Sequence, residues 1–79
     1  ATLRRSLDIL NTGRIESAGI VYLESGSDIY NSPLAQINAS VSAQLYSGAD
    51  ILNQGAITVF SDQLILNSAY LHNQGTIET

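Results

Sequence analysis

Apolar and polar residues alternate along this chain in short runs, and the runs recur. Ile57 with Val59, Leu64 with Leu66, and Leu71 with Asn73 each place like-facing residues two apart, with polar or small residues between the runs. A period of two over so few residues marks a strand and fits helical spacing poorly. The frequent β-branched residues inside the runs agree, as do the Gly, Asn, Ser and Asp residues that separate them.

Aligning the chain on itself shows why the runs recur. Leu7-Asp8-Ile9-Leu10-Asn11, Ser27-Asp28-Ile29-Tyr30-Asn31, Ala49-Asp50-Ile51-Leu52-Asn53 and Ala69-Tyr70-Leu71-His72-Asn73 match, and their Asn residues are 20, 22 and 20 positions apart. Two residues after each Asn stands Gly13, Pro33, Gly55 or Gly75. Two further on comes Ile15, Ile57 or Ile77; in the second copy the equivalent Ile37 arrives two residues late, which accounts for the longer spacing. Each repeat also carries a middle run, Val21 with Leu23, Ala43 with Leu45, or Leu64 with Leu66. Leu3 falls 20 residues before Leu23, so the first residues read as the tail of an incomplete coil.

Short strands repeating in register bury one apolar face by winding into a solenoid in which each strand pairs in parallel with its copy one coil on. The expected fold is all-β: a parallel β-helix (β-solenoid) of about 3.5 coils, 20–22 residues each, with three short strands per coil. An up-and-down antiparallel sheet would not require the same residue types to return at this spacing. Parallel crossovers are overwhelmingly right-handed, so a right-handed solenoid is expected. Residues 1–79 then form one segment, with a partial coil at 1–10, coils over about 11–30, 31–52 and 53–72, and a partial coil at 73–79. The segment reads as part of a longer shaft.

In such a fold a sequence column becomes a physical ladder. Ile9, Ile29, Ile51 and Leu71 are expected to form the main core ladder, Leu23, Leu45 and Leu66 a second, and Ile15, Ile37, Ile57 and Ile77 a third. Burying one such side chain is worth ~1.5–3 kcal/mol. Asn11, Asn31, Asn53 and Asn73 face the same side at a corner, where their amides can bond to one another and to the turn backbone. The Gly residues after them are expected to allow a positive φ at that corner. Pro33 cannot do the same, so the second turn must differ.

Composition narrows the chemistry. There is no Cys, so neither a disulfide scaffold nor a thiolate metal site is available. Three arginines, no lysine and a net charge of −4 disfavour a nucleic-acid or anionic-membrane surface. No apolar run approaches the ~20 residues of a membrane span, and no signal peptide opens the chain, so an export signal would have been removed or would lie upstream. Asp8, Asp28 and Asp50 form an outward column. It could hold Ca²⁺, but Tyr70 interrupts it and solvated turn acids are the better reading. His72 lies in the outward column of Leu10, Tyr30 and Leu52, which suits neither a ligand nor a general base. Glu16 and Glu78 share a column but are separated by Asn38 and Thr58, so they do not pair for glycoside hydrolysis. No catalytic, cofactor or metal site is therefore expected. The outward Tyr22, Tyr30, Tyr46 and Tyr70 mark a candidate interaction surface.

The stretch Leu64-Ile65-Leu66-Asn67-Ser68-Ala69-Tyr70-Leu71-His72-Asn73-Gln74-Gly75-Thr76-Ile77-Glu78 resembles the repeats of filamentous haemagglutinin-type exoproteins, in which a leucine pair and small residues precede Leu-x-Asn-x-Gly-x-Ile. Ile51-Leu52-Asn53-Gln54-Gly55-Ala56-Ile57 and Ile9-Leu10-Asn11-Thr12-Gly13-Arg14-Ile15 match its second half, whereas Asn31-Ser32-Pro33 departs from it. The resemblance implies large secreted bacterial surface proteins, exported through an outer-membrane transporter by two-partner secretion. Their β-helical shafts serve adhesion or carry a toxin toward a neighbouring cell, and their activities reside in terminal domains. Three functions can be set side by side: a structural shaft segment meeting a host or neighbouring-cell receptor elsewhere along its length, a filament subunit stacking end to end with copies of itself, and a fragment of a polysaccharide-acting β-helix enzyme. The last needs long loops to place its acids and bases, which short turns do not supply.

Overall fold

A computed structural model describes residues 1–61 and 63–79. Twelve short strands follow one another round a coil. The first turn holds β1 (Thr2–Arg5), β2 (Ile9–Asn11) and β3 (Arg14–Ser17). The second holds β4 (Ile20–Ser25), β5 (Ile29–Asn31) and β6 (Gln36–Ala39). β7 (Ser42–Ser47), β8 (Asp50–Asn53) and β9 (Ala56–Val59) make the third. β10 (Leu64–Asn67), β11 (Tyr70–Asn73) and β12 (Thr76–Glu78) make the fourth.

The strands assemble into three four-stranded sheets, ordered β1-β4-β7-β10, β2-β5-β8-β11 and β3-β6-β9-β12. Every pairing is parallel. A parallel partner can be reached only by a full turn of chain, so this is the β-solenoid that the repeat predicts and not a meander. The turns number about four rather than three and a half, because Thr2–Arg5 pairs as a complete strand with β4 and the last residues complete a third sheet.

Like stacks on like. Leu3, Leu23, Leu45 and Leu66 are aligned in one sheet, Ile9, Ile29, Ile51 and Leu71 in the second, and Ile15, Ile37, Ile57 and Ile77 in the third. Burial alternates along β6, β8 and β9, so every second side chain enters the core. The same columns lose cover in the outermost turns. Ile29 and Ile51 are buried, whereas Leu71 is 48% exposed and Leu3 39% exposed. The core therefore belongs to the middle turns, and the edges of β1 and β11 are wet along their whole length.

Two irregularities sit at corners. β2 and β3 are joined by Thr12 and Gly13 alone, whereas β5 and β6 are joined by Ser32 to Ala35. This two-residue insertion is the one placed after Asn31 by the repeat. It bulges outward: Leu34 is 97% exposed with φ 69°, the one non-Gly residue with positive φ among those described. The loop closes on itself and on the turn before, through the Ala35 N–H donating to Ser32 O and the Ser32 N–H to Asn11 O, both at 3.0 Å. The second irregularity is hidden by the even Asn spacing. Ala39 aligns with Val59 and Ala43 with Leu64, so the fourth turn has gained a residue at that corner, where Asp62 lies outside the described residues. Tyr46 aligns with Asn67 but Asp50 with Tyr70, so the next corner has lost one.

The expected role of the corner glycines is not what the structure shows. No glycine has a positive φ. The constraint is the neighbouring coil: a Cβ on Gly55 would stand 2.2 Å from Ala35 O and 2.5 Å from Ser32 O, and one on Gly75 would stand 2.0 Å from Gly55 O. At these two positions glycine is required because the preceding backbone approaches too closely for a side chain, whereas at Gly13, in the first turn, a Cβ would meet nothing within 4 Å. A second glycine column, Gly26 and Gly48, obeys the same rule against Ser6 O and Gly26 O.

Candidate functional site

The most organised chemistry in the molecule is at the corner between the second and third sheets. Asn11 Nδ2 donates to Asn31 Oδ1 at 2.8 Å, Asn31 Nδ2 to Asn53 Oδ1 at 2.8 Å, and Asn53 Nδ2 to Asn73 Oδ1 at 2.9 Å. The same Nδ2 groups also donate to backbone carbonyls of the next turn, Gln36 O at 3.0 Å, Ala56 O at 3.2 Å and Thr76 O at 3.0 Å. Both amide hydrogens are thereby used, which is what lets an amide sit in an apolar core without penalty. Asn31 and Asn53 are fully buried, Asn11 nearly so, and Asn73, in the last turn, is exposed. The ladder has a direction, since every donor points toward the C-terminal turn.

A second polar ladder occupies the corner between the first and second sheets. Ser25 is buried, and its hydroxyl donates to Leu7 O at 2.7 Å and lies 3.0 Å from Asp28 O. Ser47 repeats the arrangement one turn on with Ser27 O and Asp50 O. Beside it, Asp8 Oδ1 accepts the Asp28 N–H at 3.1 Å, and Asp28 Oδ1 accepts the Asp50 N–H at 3.0 Å. The acid column is therefore more than a row of solvated charges: the Asp8 and Asp28 carboxylates each cap a backbone donor of the following turn, whereas that of Asp50 faces His72. The Asp28 N–H, and after it the Ser27 hydroxyl, hold the Asp8 carboxyl below its ordinary value. Local sequence hid this role, because the acceptor is a side chain but the donor is a main-chain N–H that every non-proline residue carries.

The four tyrosines do not form one surface. Tyr22 and Tyr46 lie on the outer face of the first sheet, with ring centroids 5.5 Å apart at 42°. Arg4 lies over the Tyr22 ring at 5.4 Å and pairs with Glu24 at 3.5 Å. Tyr30 and Tyr70 belong to the second sheet. Tyr30 donates its hydroxyl to Gln54 Oε1, and Gln54 Nε2 donates to Gln74 Oε1 at 2.8 Å. Tyr70 is 67% exposed, 6.2 Å from the His72 ring, and His72 stands 3.9 Å from Asp50. An outward groove lined by Asp8, Leu10, Asp28, Tyr30 and Ser32 runs beside the acid column. Among the described residues no three His, Cys, Asp or Glu side chains converge on a point that could hold a metal ion.

The chain is thus a β-solenoid of stacked repeats, a class defined by its ladders. No protein-family model matches the sequence, and neither the curated proteins nor the solved structures searched include a match.

Proposed function

We propose that the chain is a structural β-helical shaft segment of a secreted or cell-surface bacterial protein of the filamentous haemagglutinin type, an adhesin or a contact-dependent toxin carrier, without catalytic activity of its own. The observation that carries this reading is the commitment of inward positions to turn-on-turn ladders, apolar and amide alike. Such stacking gives a stiff rod in which each repeat supports only its neighbours. Export through an outer-membrane transporter and contact with a host or neighbouring-cell receptor would belong to the parent protein of such a shaft. The repeat motifs Leu-x-Asn-x-Gly-x-Ile at Leu71 to Ile77 and their partial copies support the assignment to that type.

Antibodies raised against the folded chain test it. They should label intact cells of the bacterium that makes the protein, or its culture supernatant. Labelling that appears only after the cells are permeabilised contradicts a surface shaft.

A further inference from the structure

We propose that the bulge from Ser32 to Ala35 and the groove beside it form a lateral docking surface for a cationic, apolar segment of another protein, with Leu34 as its anchor. The proposal goes beyond the shaft reading and does not depend on export; either can fail alone.

Leu34 carries the inference. An exposed leucine by itself is ordinary, but this one is 97% exposed at a φ of 69°. That left-handed conformation suits Gly or Asn and is unfavourable for leucine. The side chain adds almost no buried area to the fold, so neither backbone nor packing accounts for a leucine there. Further turns of a solenoid could not cover it. The bulge belongs to the second turn, which already has the first and third stacked on either side, and it projects away from the axis along which turns are added.

The bulge is firmly held. The Ser32 N–H and hydroxyl both donate to Asn11 O at 3.0 Å, the Ala35 N–H donates to Ser32 O at 3.0 Å, and Ala35 O accepts the Ala56 N–H at 2.9 Å. Ala35 is buried, and the ring of Pro33 fixes its own φ. A loop tied at both ends presents its apolar side chain already in place, which lowers the ordering cost of a contact.

The groove defines the rest of the partner's chemistry. Ser32 lines it together with Leu10, Tyr30, Asp8 and Asp28, so it is apolar on one side and acidic on the other. It opens on the outer face of the second sheet, and a turn stacked on the edge of β2 would leave that face open. The three arginines lie in β1 and β3, on the other two sheets, and among the described residues no cationic side chain pairs with Asp8 or Asp28. A partner needs Lys or Arg against these carboxylates and an aliphatic or aromatic side chain over Leu34. A second copy of this chain, at net charge −4, brings the wrong sign.

Selection of random peptides displayed on phage against the immobilised 79-residue chain tests the proposal. Enriched peptides should combine Lys or Arg with aliphatic or aromatic residues, bind more weakly as salt rises, and shift the NMR resonances of Leu34, Tyr30 and Asp28. Leu34→Asn puts a residue that tolerates the left-handed region at φ 69°, so this variant should melt no lower than the parent yet bind the selected peptides about tenfold or more weakly. Asp28→Asn keeps an oxygen for the Asp50 N–H and should weaken the same binding while flattening its salt dependence. No enrichment, enrichment of acidic or uncharged peptides, or equal binding to the Leu34→Asn variant overturns the proposal. Self-association of the parent that Leu34→Asn abolishes overturns it too, by giving the surface to a second copy.

Discussion

The side chain of Asn53 holds three turns together: it accepts from Asn31 at 2.8 Å and donates to Asn73 at 2.9 Å and to Thr76 O at 3.0 Å, with none of its surface exposed. Removing it strands a buried donor on Asn31 and a carbonyl on the fourth turn. Asn53→Ala should lower the unfolding free energy by about 3 kcal/mol. Asn73→Ala, where water replaces the lost group, should cost less than about 1 kcal/mol. Urea titration of the dilute monomer distinguishes them, and equal losses would show that the ladder does not couple turns.

Glycine at the Asn corner should be indispensable at Gly55 and dispensable at Gly13, where a Cβ would meet nothing within 4 Å. Gly55→Ala drives a Cβ to 2.2 Å from Ala35 O, where the obstacle is backbone and cannot swing away. That substitution should unfold the third and fourth turns, seen as loss of the β-sheet circular dichroism signal. Gly13→Ala should leave stability unchanged or raise it by about 0.5 kcal/mol through the stiffer unfolded chain.

Core substitutions should grade with distance from the ends. Ile51 is 1% exposed between Ile29 and Leu71, so Ile51→Ala should cost about 2–5 kcal/mol. Leu71→Ala should cost about 1 kcal/mol, because half of that side chain is already in water. Thermal and urea unfolding of the two variants in dilute solution provide the comparison.

Acid should weaken the corner at Asp8. Its carboxyl is held below its ordinary value in the folded chain because the ionised form accepts the Asp28 N–H, whereas the unfolded chain has no such partner. A depressed native value means that the stabilisation is present above the ordinary value and is lost as pH falls through the native one. Asp8→Asn keeps an acceptor oxygen but removes the titration, so its stability should fall less steeply with acid than that of the parent. Parallel acid limbs for the two proteins would contradict the capping role.

How much of this was legible in the sequence follows from what a ladder demands. Stacked apolar and amide positions need the same residue type in every turn, so Ile9, Ile29, Ile51 and the column of four Asn residues announced the three-strand coil and its corner. Contacts between one turn's side chain and another's main chain leave no such mark. The Asp8 and Ser25 bonds to backbone groups were invisible for that reason, and the glycine corners suggested a dihedral when the cause was a carbonyl one coil away. The residue gained before Leu64 and lost before Tyr70 cancelled in the Asn spacing. Outward residues were the least legible, since their sheet decides their neighbours: Tyr22 meets Tyr46, while Tyr30 and Tyr70 stand on another face.

The most direct test of the stacked-ladder fold is methyl NMR of the chain labelled at isoleucine δ1 positions and held dilute. Through-space cross-peaks should join Ile9 with Ile29, Ile29 with Ile51, Ile15 with Ile37, Ile37 with Ile57, and Ile57 with Ile77, all pairs 20 or 22 residues apart in sequence. Absence of these peaks, or their replacement by contacts between antiparallel neighbours, would contradict the parallel solenoid.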